Sequence, residues 1–276
     1  MKKWILAATM VFAIAQANAQ LTTPQPSPTQ TVKQNFGLSQ VELSYSRPAM
    51  KGRKIFGDLV PFNAVWRTGA NSATTLTFGD DVIIGGTAIK AGKYGLLSIP
   101  GGSNWTLIIT KQTDVTSPAA YKQDQDVVRV NVTPVKTKTK VESFTIQFAN
   151  LQSTKCDLQI LWDKTVVTLP IETEVDSKVM AKIEELMKGD KPPYFNAAAY
   201  YLENGKDLTK ALGWFNKALE TQPDAFWIHH QKANCLAKLG NKADAIAAAN
   251  QSKELAAKAG NGDYVKLNEK LLTTLK

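Results

Sequence analysis

The stretch QVELSY, residues 40–45, sets Val41, Leu43 and Tyr45 against Gln40, Glu42 and Ser44 in strict alternation. A period of two puts every second side chain on one face of an extended chain, so this is a half-buried strand. The same signature recurs over residues 73–78, 81–84, 94–99, 105–110, 127–132, 141–148, 156–162 and 165–169. Gly85-Gly86, Gly101-Gly102, Pro134 and Asn150 separate the runs and supply turn geometry, and Pro170 is expected to close the β region. Short strands without intervening helical periods predict an all-β antiparallel sandwich or barrel-like domain over residues 34–171. A parallel α/β sheet is excluded, because its crossovers need helices. In VKTKTK, residues 135–140, Lys136, Lys138 and Lys140 share one side of an extended chain; a solvated hairpin or a charge-protected edge accounts for them better than a polyanion site.

Upstream, TTPQPSPTQT places Pro24, Pro26 and Pro28 in a polar stretch that cannot build a core, predicting an extended linker over 20–33. Residues 1–19 carry Lys2-Lys3, an apolar run from Trp4 to Ala15 and the small-x-small ending Ala17-Asn18-Ala19, the pattern of a signal peptide. The run is shorter than the roughly 20 apolar residues of a membrane-spanning helix, and no later segment approaches that length. No cysteine follows the cleavage site, which argues against a lipid anchor. The expectation is an exported chain, periplasmic or secreted, beginning near Gln20. Losing Lys2 and Lys3 lowers the formal net charge from +9 to +7, a mild excess of scattered lysine that suits anionic surfaces but not nucleic acid.

From Asp176 the period shifts to that of a helix, with Val179, Ile183, Leu186 and Met187 in one stripe ended by Gly189. Residues 190–224 then read as a helical hairpin turning at Gly205, and residues 225–260 repeat the plan with a turn at Gly240. Ala211 and Ala245, each opening an inner stripe, stand 34 residues apart. That spacing, with Tyr201, Phe215, Ala218 and Pro223, resembles the tetratricopeptide repeat, although Ala249 and Ser252 depart from it. A last helix is expected from about Asp263 to Leu275, completing an all-α helical-repeat module over 172–276. The resemblance implies a concave protein-contact surface, for which another envelope protein is the expected partner, and a module that only packs on the β domain is the alternative.

Marks of catalysis are missing. There is no Gly-x-Ser-x-Gly, Cys-x-x-Cys or His-Glu-x-x-His, and TAIKAGKY has Thr87 and Tyr94 where a phosphate loop needs Gly and Ser or Thr. His229 and His230 are neighbours on a helix and point about 100° apart, so they cannot chelate one metal. No metal or cofactor is called for. Asp80-Asp81 and Asp124/Asp126 are the visible acid pairs, both in turn-like contexts. Cys156 alternates with Leu158, Ile160 and Trp162, while Cys235 lies in a helical pattern, so two buried free thiols are expected.

One stretch has neither period. SRPAMKGRKIFGDLVPFNAVWRTGAN, residues 46–71, carries Arg47, Lys51, Arg53, Lys54 and Arg67 against the single acid Asp58. So long a connection is functional or disordered, and Ile55, Phe56, Leu59, Val60, Phe62, Val65 and Trp66 are too much apolar mass for disorder. Its arginines either tie the loop to the domain or present their forks to an anion. Arg47, Lys51, Arg53, Trp66, Arg67 and Asn71 are the candidate ligand-binding residues; none is assigned a catalytic role.

The run YSRPAMKGRKIFGDLVPFNAVWRTGANSATTLTF, followed by AGKYGLLSIPG and WTLII, resembles the bacterial family catalogued as domain of unknown function 2911 from about Gln34 to Ile171. The resemblance implies an exported β-rich domain, sometimes followed by helical repeats, and carries no catalytic residue; Phe62-Asn63 departs from the aromatic-glycine expected there. The leading expectation is a non-catalytic binding protein whose loop receives an anionic or carbohydrate group. An enzyme acting on envelope glycans through a carboxylate pair is the alternative, and a purely structural assembly part a third reading.

Overall fold

The computed structural model describes residues 23–276, so the signal peptide expected over 1–19 lies outside the described residues. The chain divides after Glu174 into a β unit and a helical unit. The β unit contains β1 Thr29–Phe36, β2 Ser39–Ser46, β3 Thr74–Phe78, β4 Val82–Ile84, β5 Thr87–Ile89, β6 Gly92–Ile99, β7 Trp105–Thr110, β8 Asp126–Val132, β9 Val135–Ala149 and β10 Lys155–Glu172. Six form one sheet in the order β1-β2-β3-β6-β7-β8, and four form another in the order β5-β4-β10-β9. Every ladder is antiparallel.

One hydrophobic cluster draws on both sheets. Val41, Leu43, Leu76, Leu96 and Leu107 enter it from the first, Ile84, Phe144, Ile146 and alternate residues of β10 from the second. Each such side chain contributes about 1.5–3 kcal/mol over leaving it in water, and β10 supplies seven, from Cys156 to Ile171. The alternation seen in the sequence is therefore what turns one face of each sheet toward this cluster.

Three expectations about the strands need correction. The linker expected over 20–33 ends sooner: β1 starts at Thr29 and pairs with β2 from Thr29 opposite Ser46 to Phe36 opposite Ser39. As an edge strand it exposes Thr31, Lys33 and Asn35, so its composition reads as linker. The runs at 156–162 and 165–169 are one strand, because Asp163, with φ of 52°, sits at a register shift against β9 that bends the strand without ending it. Pro170 does not close the β region. It is exposed and outside both ladders of β10, and Ile171 and Glu172 beyond it still pair with β4. Lys136, Lys138 and Lys140 lie exposed on β9, an edge strand, as charge protection requires.

The helical unit runs α1 Asp176–Leu186, α2 Tyr194–Glu203, α3 Leu208–Thr221, α4 Phe226–Lys238, α5 Lys242–Lys258 and α6 Gly262–Thr274. Asp207 caps α3 by accepting from the Lys210 amide, and Asn261 caps α6 by accepting from Tyr264. Gly205 and Gly240 take left-handed φ of 63° and 81° where the turns were expected. Val179, Ile183 and Met187 pack inward four residues apart, but Leu186, one position off that row, is 42% exposed.

Positions 34 apart are buried in matching pairs: Ala211 with Ala245, Phe215 with Ala249, Ala218 with Ser252. The Ser252 hydroxyl is satisfied, donating to the Phe226 carbonyl at 2.7 Å and accepting from Asn268 Nδ2 at 2.8 Å. His229 and His230 have separate partners, the Pro223 carbonyl and Asn268 Oδ1, each at 2.8 Å.

Cys156 and Cys235 are both free and buried. Burial, helped by Asp157, pushes the Cys156 thiol up to about 11; burial also raises Cys235, against the opposing charge of Lys238. Since the thiolate is the nucleophile, neither should react with a disulfide reagent at pH 8 in the native protein. Both should react after denaturation, as titration of released thiolate will show.

Candidate functional site

Between β2 and β3 the chain spends residues 47–73 on a connection that is irregular yet stitched to both sheets. Ala49 pairs with Ser143 of β9, with Met50 N–H donating to the Glu142 carbonyl and Phe144 N–H to Pro48, each at 2.9 Å. Farther on, Trp66 pairs with Ser98 of β6, exchanging bonds of 2.7 and 2.9 Å. Met50, Ile55 and Val60 are buried in the main cluster, and Phe56 and Trp66 pack against it. Leu59 and Phe62, part of the apolar mass that argued against disorder, are instead 42% exposed.

The backbone here is strained. Lys51, Asn63, Thr68 and Asn71 take φ of 49°, 59°, 54° and 62°, and each such residue costs on the order of 1–3 kcal/mol. Thr68, β-branched, is the least suited. It is held by its hydroxyl against Ser98 Oγ at 2.9 Å and by Thr74 Oγ1 donating to its carbonyl at 2.5 Å. At Gly69 a Cβ would stand 3.1 Å from the Ser46 carbonyl, at φ of 153°. The run RTGAN is thus a turn whose residue types answer to backbone geometry.

The three arginines of the candidate set divide. Arg47 is spent on the fold: Nε donates to the Phe144 carbonyl at 3.1 Å, Nη1 to Gln30 Oε1 at 2.9 Å and Nη2 to Thr145 Oγ1 at 2.9 Å. Arg53 bonds the Met50 and Ala49 carbonyls through Nε and Nη2, at 2.9 and 2.7 Å, and its Nη1 has no protein acceptor among the described residues. Arg67 Nη1 donates to the Thr116 carbonyl, while its Nε is buried without a partner.

Arg53 and Arg67 line a cavity of about 390 Å³ together with Trp66 and Trp162. Leu59, Val60, Pro61 and Val65 form one wall and residues 115–118 another. The two indoles stack at 6.0 Å and 14°, and Phe144 meets Trp66 edge-on at 5.2 Å. Trp66 Nε1 donates to the Gly69 carbonyl and Trp162 Nε1 to Glu142, at 3.0 and 3.1 Å. Among the described residues, two guanidinium groups are the only charges in the lining, which contains no carboxylate and no side-chain amide. The carboxylate pair that the glycan-enzyme reading needs does not border this cavity.

Arg47, Lys51 and Asn71 do not line it. Lys51 is exposed, its amide bonded to Glu142 Oε1 at 2.8 Å. Asn71 Nδ2 ties the Ser27 carbonyl and Ser46 Oγ at 3.1 and 3.2 Å, and borders a separate hydroxyl-lined cavity of about 710 Å³ with Lys93. Sequence reasoning missed Trp162, which alternation marks only as a core residue, and the wall at 115–118, which carries no period or motif.

That wall is anchored by Val115, buried with Leu97 and Ile108 on the other face of the first sheet, and by a polar cluster downstream. Tyr121 donates to Asp126 Oδ2 at 2.5 Å, and Arg129 Nη1 reaches both, at 3.0 Å to the phenol and 3.2 Å to the carboxylate. Burial first, then Asp126, pushes the Tyr121 phenol up to about 12. The acid pairs noted in the sequence serve turns and this cluster: Asp80 and Asp81 accept the Asp81 and Ala91 amides, both at 2.9 Å. Among the described residues no group of three or more His, Cys, Asp or Glu could hold a metal ion, and no helix is long and apolar enough to cross a membrane.

The β unit is therefore an antiparallel two-sheet domain in which one irregular connection closes an arginine- and tryptophan-lined cavity. The chain belongs to the family described as Protein of unknown function (DUF2911), which matches residues 27–171, more than half of the 276 residues. The match begins just ahead of β1 and ends in β10, so it takes in both sheets and the whole loop. No curated protein and no solved structure matches the chain.

Because Arg47 satisfies three protein acceptors, Arg47→Met should lower the unfolding free energy by about 1–3 kcal/mol. Arg53→Met, at an exposed site, should cost under about 1 kcal/mol. Urea denaturation followed by tryptophan fluorescence will separate the two.

Proposed function

We propose that this is an exported, non-catalytic binding protein: a β-sandwich that receives a small ligand in the cavity beside the 47–73 loop, joined to a tetratricopeptide-like module that contacts another protein. The observation that carries the reading is the cavity itself. Its volume falls within the range of small-molecule sites, about 300–1,000 Å³, and its mostly apolar lining with a few convergent polar groups has their character. Strain concentrated in the loop that walls it is a further support, since strained backbone clusters at ligand sites.

For the helical module, support comes from the burial pairs 34 residues apart and from an open groove of about 580 Å³ bordered by Leu202 of α2, Asn234 and Lys238 of α4 and Leu271 of α6. In solenoids the equivalent helices of successive repeats line one extended surface of this kind. Export rests on the leader-like residues 1–19; N-terminal sequencing of protein recovered from the cell envelope should begin near Gln20.

Ala64, half-buried in the cavity lining, offers the cleanest test. Ala64→Phe should obstruct the cavity and abolish retention of the small molecules that the wild-type protein carries out of a cell-envelope extract, read by mass spectrometry after native purification. If variant and wild type, both folded by circular dichroism, retain the same set, the cavity is not a binding site.

A further inference from the structure

The chemistry of the lining narrows the ligand. Resting on the binding-site reading above, we infer that the cavity takes an amphipathic monoanion, a carboxylate carried on an aliphatic or aromatic body, and not a glycan or a polyphosphate.

Charge comes first. Arg53 and Arg67 stand in the lining with no acid beside them, so an anion is attracted and a cation repelled. Both forks are only partly used. Arg53 Nη1 and Arg67 Nη2 have no protein acceptor among the described residues; Arg67 Nε lacks one too but is buried, so an anion meets Arg67 through Nη2. A guanidinium offers planar, paired donors that match the two oxygens of a carboxylate.

The rest of the lining limits that anion to a single small group. Beyond the two arginines the walls are hydrocarbon and indole, with hydroxyls only from Ser27, Thr116 and Ser117. A polyphosphate would press further charges against apolar walls, which is costly without paired groups. A sugar needs acceptors for its hydroxyl protons. Here the Thr116 and Gly69 carbonyls each already accept one bond, from Arg67 and Trp66, and the described lining has no carboxylate or amide side chain to add strong acceptors. An apolar body asks for none of this. It is served by Trp66 and Val65, both half-buried, and by Leu59, which is 42% exposed, with the buried Trp162 and Val60 behind them.

The test is calorimetric titration of the whole mature chain at pH 7.5 with four probes: decanoate, decanol, maltose and inorganic phosphate. Decanoate should bind saturably at one site, decanol at least tenfold more weakly, and maltose and phosphate not at all. Arg53→Met combined with Arg67→Met should weaken decanoate about tenfold or more while leaving decanol unchanged, a split that mere loosening of the fold would not produce. Ala64→Phe should abolish both.

Maltose or phosphate binding that Ala64→Phe removes, with decanoate silent, overturns the carboxylate assignment and leaves the cavity a binding site. Equal affinity for decanoate and decanol also overturns it. If no probe binds in an Ala64→Phe-sensitive way, the carboxylate assignment falls; if the extract-retained molecules are also indifferent to that variant, the binding-site reading falls with it.

Discussion

The Arg47 guanidinium joins the two sheets at the point where the long connection leaves β2. Through one planar group it holds Gln30 of β1 in the six-stranded sheet and Phe144 and Thr145 of β9 in the four-stranded one. A half-buried guanidinium left short of acceptors is expensive, so its position fixes the distance between those strands. It also fixes where residue 48 begins, and from there Pro48 and Met50 run alongside β9 by main-chain bonds. The cavity exists because the connection runs first beside β9 and then bridges to β6 through Trp66 before entering β3, spanning the gap.

What fills the gap is aromatic. Phe56, Trp66, Trp105, Phe144 and Trp162 form a chain of ring contacts with centroids 4.9–6.5 Å apart, mostly edge-to-face. Such pairs add about 0.5–1.5 kcal/mol each beyond their buried area. That gain offsets the strain of Thr68, Asn71 and the other left-handed residues in the connection. The ring faces left over at its outer side become the apolar floor against which Arg53 and Arg67 stand. Stability and the candidate site therefore draw on the same rings.

The helical unit follows a different economy. Ala233, Ala245, Ala248 and Ala249 let α4 and α5 approach closely with little side-chain volume. Where a larger gap remains, polar groups close it: Ser252, Asn268 and His230 form a satisfied line across α5, α6 and α4. Ser252 is thus buried with no unpaired hydroxyl.

Alternation over 40–45 and 156–162, and the 34-residue spacing of Ala211 and Ala245, are local properties. They determined the strands, the helices and their division near residue 174 from the sequence alone. Edge strand β1 escaped because an exposed edge need not be apolar, and the continuity of β10 escaped because a bulge at Asp163 looks like a turn in one dimension. The basic, aromatic loop was legible as a packed, unusual segment, but the fates of its arginines were not. Arg47 and Arg67 are alike in the sequence. Only tertiary structure decides that the first meets three acceptors from strands β1 and β9 while the second meets one carbonyl from residue 116, because a guanidinium's partners come from whichever chain segments the fold brings within about 3 Å.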